Sequence, residues 1–215
     1  MIIWVAEVTA KALGKENTYV ATDDKRISDT VRRSGFKSIL TSEKAMTGTD
    51  RIAEAARTID ADIYINIQGD EPLLDPDDIK KAVAAKKKFP KAVINCMCVL
   101  GSDEDPSNPN IPKVITTEDE RLVYISRLPV PGSKSIDNYP KTFWRQVCIY
   151  AFSGDELNAF SGFGRKGNLE RIEDIEILRF LELSIPVRMV KVTSGSKAVD
   201  VPEDVRAVET LLRAR

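Results

Sequence analysis

The chain has 215 residues, 42% hydrophobic and 30% charged, enough for one domain with a buried core. Its 32 basic and 33 acidic residues nearly cancel at a formal charge of −1, so no global field draws it to nucleic acid or to an anionic membrane. It contains no histidine, which excludes Ser-His and Cys-His nucleophile pairs and histidine zinc sites, and leaves the chemistry to carboxylates, Lys, Arg, Tyr or a hard metal.

In chain order, the pattern opens on a helix, with Ile2, Ile3, Val5, Ala6 and the run Val8 to Leu13 on one face. No apolar run reaches membrane-span length, and the start has neither a basic leader nor a small-residue cleavage site. Three cysteines, at 96, 98 and 148, sit inside apolar strand-like runs without disulfide or zinc spacing. These features predict a cytoplasmic protein with no membrane partner.

Residues 18–22 read as the first strand, with Asp23 and Asp24 capping a helix that runs to Gly35. Residues 38–41 form a second strand, and a polar loop then leads into a helix over 50–59. The stretch 62–75, DIYINIQGDEPLLD, is a short buried strand ending in a Gly, two acids and a Pro. In an open parallel sheet such strand ends face the ligand crevice, which places Gln68, Asp70 and Glu71 there. The alternative is an acidic strand-to-helix turn that only caps the helix beginning near Asp77; that helix reads over 75–88, and its triple-lysine end is expected to be solvated.

Residues 92–99 form a strand with Cys96 and Cys98 on one face, and 101–112 a loop rich in Asp, Asn and Pro. Two short strands, 113–117 and 122–126, read as a hairpin, and a loop over 129–140 precedes a strand at 146–152. A long helix over 169–183, a strand at 187–192 and a last helix over 201–212 complete the pattern. Strand-helix alternation predicts an α/β domain over 1–215, its mixed, mostly parallel sheet flanked by helices, with a small antiparallel lobe over about 101–145.

Asp70 and Asp200 both end strands. Two carboxylates converging at a sheet mouth, with no histidine, suit Mg2+, which points to phosphoryl or nucleotidyl transfer; two unrelated helix caps are the alternative. TGTDR, 47–51, offers backbone N–H groups and a guanidinium to an anion or a base edge. Arg127 and Tyr150 suit the carboxylate or hydroxyls of a polar substrate, or else are a surface Arg and a core Tyr. No glycine-rich phosphate loop is present.

Together, VATDD (20–24), TGTDR (47–51), INIQGDEPLL (65–74), YISR (124–127), QVCIYAF (146–152), IEDIEILRFLE (172–182) and AVDVPED (198–204) resemble the 3-deoxy-manno-octulosonate cytidylyltransferases, or CMP-Kdo synthetases, in order over nearly the whole chain. The resemblance implies a Rossmann-like nucleotidyltransferase fold and a homodimer that makes CMP-Kdo and pyrophosphate from CTP and Kdo for lipopolysaccharide or capsule. It implies that Asp70 and Asp200 hold Mg2+ and carry the catalysis. Thr49, Asp50, Arg51 and Gln68 would border the nucleotide, and Arg127, Gln146, Tyr150 and Glu176 the acidic sugar.

Three departures stand out. Gln146 replaces a histidine, and Ile177 replaces a glutamine in the Glu-Gln-Leu-Arg pattern at 176–179, both on the sugar side. The family's opening strand and basic, Gly-containing loop would precede Met1, and a sheet without that strand is expected to leave unpaired edges. A cytidylyltransferase for another acidic sugar, such as an 8-amino Kdo or a sialic-acid-like substrate, is the nearest alternative. A family member that binds ligand or partner without turnover is the alternative outside enzymes. A metal-dependent glycosyltransferase is disfavoured, because no Asp-x-Asp ends a strand.

Overall fold

The computed structural model describes residues 1–102, 104–193, 199 and 202–213. Helix α1 (Ile2–Leu13) leads to strand β1 (Tyr19–Thr22), helix α2 (Lys25–Arg33) and strand β2 (Lys37–Leu40). The two strands pair in parallel as a small sheet of their own, and Asp24 caps α2 by accepting the Arg26 N–H at 2.7 Å. Helix α3 (Gly48–Ala56) begins two residues earlier than the pattern suggests. Thr47 is its cap, its Oγ1 accepting the Asp50 N–H at 3.2 Å.

Strand β3 (Tyr64–Ile67) and helix α4 (Pro76–Lys88) follow as expected, the helix capped by Asp75. Its lysine-rich end is not wholly solvated. Lys86 is only 2% exposed and donates to both Glu156 carboxylate oxygens at 2.6 Å and to the Ala92 carbonyl at 2.8 Å. A lysine here is tolerable because its charge is paired and its hydrogens are spent.

The large sheet contains β3, β4 (Val93–Val99), β5 (Lys113–Thr116), β6 (Leu122–Ser126), β7 (Trp144–Phe152) and β8 (Val187–Lys191). β7 runs antiparallel to β3, β4 and β5, and β4 pairs with β8 in parallel. Four strands, β3, β4, β5 and β8, therefore share one direction. Most of the actual ladders are antiparallel, because β7 is inserted between strands that alternation alone would place side by side.

The two sides of β7 differ. One edge carries the long β4 ladder. The other is shared, with β5 meeting it at Arg145 and β3 from Ile149 to Phe152. The sheet thus forks along Gln146 to Cys148, and the functional cavity lies at this fork.

Each face of the sheet has its own core. Tyr150 and Phe152 pack with Val93, Met97, Leu157, Phe160 and Phe180 on one side, while Val147, Ile149 and Ala151 pack with Ile79, Ala82, Ile94 and Cys96 on the other.

The region after β7 departs from expectation. A helix that the pattern missed, α5 (Gly154–Gly162), starts at a capping box in which the Glu156 N–H donates to Ser153 Oγ and the Ser153 N–H donates to Glu156 Oε2. The long helix read over 169–183 is two short ones, α6 (Asn168–Glu173) and α7 (Leu178–Glu182). Asp174 at φ 50° is left-handed and stops the first. Helix α8 (Pro202–Arg213) closes the chain.

Candidate active site

A cavity of about 710 Å3 opens at the fork, lined by Gln68, Asp70 and Glu71 after β3, by Gln146, Cys148 and Tyr150 on β7, and by Glu176 in the break between α6 and α7. This is the crevice at the carboxyl end of β3, reached by β7 because its antiparallel course brings its first half there. The exit of β3 is tight. A Cβ at Gly69 would meet Ile2 Cδ1 of α1 at 3.1 Å, so the close neighbour of this glycine is a protein side chain.

Glu176 organises the wall beside α3. Its Oε2 accepts the Thr49 N–H at 2.9 Å and its Oε1 accepts Gln68 Nε2 at 3.3 Å. The first turn of α3 therefore already holds an internal carboxylate, where the sequence suggested an open anion site. Burial pushes the Glu176 carboxyl above its ordinary 4.5, against the opposing hydrogen bonds from Thr49, Thr47 and Gln68.

Thr49, Asp50 and Arg51 do not line the cavity; Met46 and Thr47 do. Thr49 is 1% exposed. Asp50 accepts from Arg179 Nη1 at 2.9 Å and Nη2 at 3.1 Å, and Arg51 donates to Thr41 Oγ1 at 2.6 Å and pairs with Asp23 at 3.2 Å. This segment supports the site from behind.

Arg127 lines the cavity and is also a clamp. It donates Nε to the Glu173 carbonyl, Nη1 to the Pro109 carbonyl at 2.7 Å and Nη2 to the Asp174 carbonyl at 3.0 Å. Three of its five N–H groups thus tie the 101–112 loop to the α6 end, and two remain.

Tyr150 is 2% exposed, its ring stacked 6.1 Å from Phe152, and burial raises its hydroxyl pKa well above the ordinary 10.0. Cys148 was not singled out as a site residue, yet it lines the cavity. Burial pushes its thiol well above the ordinary 9.0.

Asp70 is in place, its carbonyl accepting the Val199 N–H at 3.0 Å. Asp200 lies outside the described residues. Among those described, no group of three or more His, Cys, Asp or Glu forms a ready metal cluster.

The lining is acidic. Asp70, Glu71, Glu104, Glu170, Asp174, Glu176 and Asp204 face it, against Arg127, Arg145 and Lys166. Those cations are engaged, Arg145 with Glu104 at 3.3 Å and Lys166 with Asp174 at 3.0 Å. A polyanion entering this cavity needs added positive charge.

Several contributors lay outside the sequence reading. Asp174 and Asp204 stand inside the quoted IEDIEILRFLE and AVDVPED motifs without an assigned role, while Arg145 and Lys166 gave no pattern signal. Asn95 did give one, as an amide inside the apolar run VINCMCV. No helix among the described residues is long and apolar enough to cross a membrane.

A sequence profile described as cytidylyltransferase matches residues 1–186. A 3-deoxy-manno-octulosonate cytidylyltransferase from Chloroherpeton thalassium is 36% identical over 215 residues, covering 99% of this chain and 87% of that protein. An 8-amino-3,8-dideoxy-manno-octulosonate cytidylyltransferase from Shewanella frigidimarina is 34% identical, with the same two coverages. A solved CMP:2-keto-3-deoxy-manno-octonic acid synthetase in complex with CTP superposes with a TM-score of 0.90 at 30% identity, covering 99% of this chain and 87% of that one.

Proposed function

The chain belongs to the cytidylyltransferase family, and from that premise we propose that it transfers CMP from CTP to the anomeric hydroxyl of Kdo with release of pyrophosphate. The observation that carries the reading is the convergence of Gln68, Asp70, Gln146, Tyr150 and Glu176 on one cavity at the sheet fork, within the size range of small-ligand sites.

Mg2+ fits the donor chemistry. The lining supplies hard oxygen donors, Asp70 among them, and the chain has no histidine; Asp70 would hold the ion, with Asp200 as the second carboxylate by the family resemblance. When bound, it would offset the acidic lining and stabilise negative charge on the transferred phosphoryl group and the departing pyrophosphate.

The chain's own residues bind and orient. Gln68, fixed by Glu176, borders the nucleotide, and the Thr47 turn, braced by Thr49, Asp50 and Arg51, forms the base side. Arg127 turns its two remaining N–H groups to the sugar carboxylate, and Tyr150 and Glu176 contact sugar hydroxyls.

A homodimer through the 101–145 lobe is supported by Leu128 and Ile136, 71% and 84% exposed. The free cysteines at 96, 98 and 148 suit a cytoplasmic enzyme feeding lipopolysaccharide or capsule synthesis.

Mg2+-dependent pyrophosphate release from CTP, with Kdo and 8-amino-Kdo as acceptors, tests the reading. Saturable release is expected with Kdo. Asp70→Asn should abolish it while leaving circular dichroism and the melting curve unchanged. No release and no calorimetric binding with either sugar would overturn the proposal.

A further inference from the structure

We infer that Asn95 is a positioning residue that locks the Gln146 amide with its carbonyl oxygen, Oε1, turned into the cavity, so that this wall selects ligands presenting a hydrogen-bond donor. The identity of the ligand used in the test rests on the acidic-sugar reading above. The polarity of the wall does not, since it follows from proton accounting.

The account starts at an irregularity in the sheet. In the β4–β7 ladder Asn95 faces Tyr150 and the next residue, Cys96, faces Val147, so β7 bulges over 148–149. Asn95 is fully buried at this bulge and donates Nδ2 to the Val147 carbonyl at 2.9 Å and to the Ile149 carbonyl at 3.1 Å. Carbonyl oxygens only accept. Turning the Asn95 amide over would set its oxygen against both of them, so chemistry fixes its orientation where an amide is otherwise ambiguous.

With both hydrogens spent, Asn95 Oδ1 must accept. It takes Gln146 Nε2 at 2.9 Å, and the second Nε2 hydrogen reaches Tyr150 Oη at 3.4 Å. Gln146 has no donor left. Its Oε1 takes no hydrogen bond from any described residue, and the side chain lines the cavity at 7% exposure. The sequence pattern at Gln146 shows an amide, which is able to donate or accept. The buried relay makes it an acceptor alone.

A ligand hydroxyl, amine or ammonium at this wall completes a hydrogen bond. An ether, phosphate or carboxylate oxygen there would oppose Oε1 and leave it unsatisfied. Specificity at this position is therefore set by a residue that touches no ligand.

The test combines kinetics with a readout that needs no sugar. Gln146→Met keeps the length and removes the acceptor. It should raise the Kdo KM on the order of tenfold, the worth of one hydrogen bond, and leave the CTP KM unchanged. Gln146→His should restore most of the loss, because a neutral imidazole gives one N–H to Asn95 and a bare nitrogen to the cavity. Among singly O-methylated Kdo analogues, one should be rejected by wild type and treated like Kdo by the Met variant.

Asn95→Leu, which keeps much of the shape and removes the Oδ1 acceptor together with the Nδ2 hydrogens, should raise the Kdo KM with little change in kcat. A purely structural Asn95 would lower the melting temperature and leave that KM untouched, which would overturn the inference. In 15N-labelled protein the Gln146 side-chain amide protons should exchange slowly with water, and quickly in Asn95→Leu, which offers Nε2 no acceptor. Fast exchange in wild type overturns the inference whatever the sugar result. Slow exchange in a protein that neither binds nor turns over Kdo upholds it and overturns the sugar reading instead.

Discussion

Arg179 offers the sharpest test of how the site is braced. It is fully buried and faces two carboxylates at once, donating to Glu170 at 2.6 and 2.7 Å and to Asp50 at 2.9 and 3.1 Å, while its guanidinium carbon lies 3.7 Å from the Phe160 ring centroid. Burial alone would pull its pKa down. The bonds to Glu170 and Asp50 outweigh that and raise it.

Arg179→Met keeps most of the volume and removes the cation that the two acids share. Breaking a buried pair by deleting one partner costs about 3–5 kcal/mol, and at about 2–4 °C per kcal/mol for a chain of this size the melting temperature should fall by about 6–20 °C. Ligand affinity should fall as well, because Asp50 also accepts from Thr47 Oγ1 at 2.9 Å in the first turn of α3, whose Thr49 N–H holds Glu176.

Arg179→Lys keeps the charge without the planar fork and should fall between the two. Thermal melts and CTP titrations of the three proteins suffice. An Arg179→Met protein that melts within about 2 °C of wild type would refute the assignment of Arg179 as the brace, since even 1 kcal/mol should move the midpoint that far.

Three further outcomes are expected. Glu176 binds its proton more tightly in the folded state, so wild-type stability should decline as pH rises from 4.5 through the raised folded pKa. Glu176→Gln should lack that decline, and equal pH slopes for the two proteins in urea titrations would contradict it. Arg127→Ala should untie the 101–112 loop, held at the Pro109 carbonyl, from the α6 end, held at the Glu173 and Asp174 carbonyls, seen as faster proteolytic nicking in the loop; an unchanged cleavage pattern would remove the clamp. The Cys148 thiol, raised by burial, should alkylate far more slowly at pH 8 than a free cysteine, and ready labelling of the folded protein would count against its placement.

The elements up to β4 were legible because their signals are local: a cap, an apolar period, a Gly or Pro stop. The strand 64–67 and the Asp24 cap are examples. The break at Asp174 was not, since a single left-handed residue leaves the apolar spacing of 169–183 intact to the eye. Helix α5 was missed although Ser153 and Glu156 stand at capping-box spacing, a signal that was available.

At the site, Gln68, Asp70 and Arg127 were read at strand ends, Tyr150 inside a strand, and Gln146 and Glu176 through the family resemblance, and all six line one cavity. Thr49, Asp50 and Arg51 stand behind it, because the TGTDR pattern fixes a helix start without saying which side faces the ligand. The polarity of Gln146 depends on Asn95, 51 residues away in sequence, and no local pattern carries such a pairing.

The alternation along β7 also bears on how such a protein can change. Its odd-numbered residues, Val147, Ile149 and Ala151, belong to one core, while Gln146, Cys148 and Tyr150 face the cavity side. Substitutions that retune ligand preference on the even positions need not disturb the packing of the odd ones. One strand can in this way drift in specificity over generations while the half that keeps the sheet together stays under separate constraint.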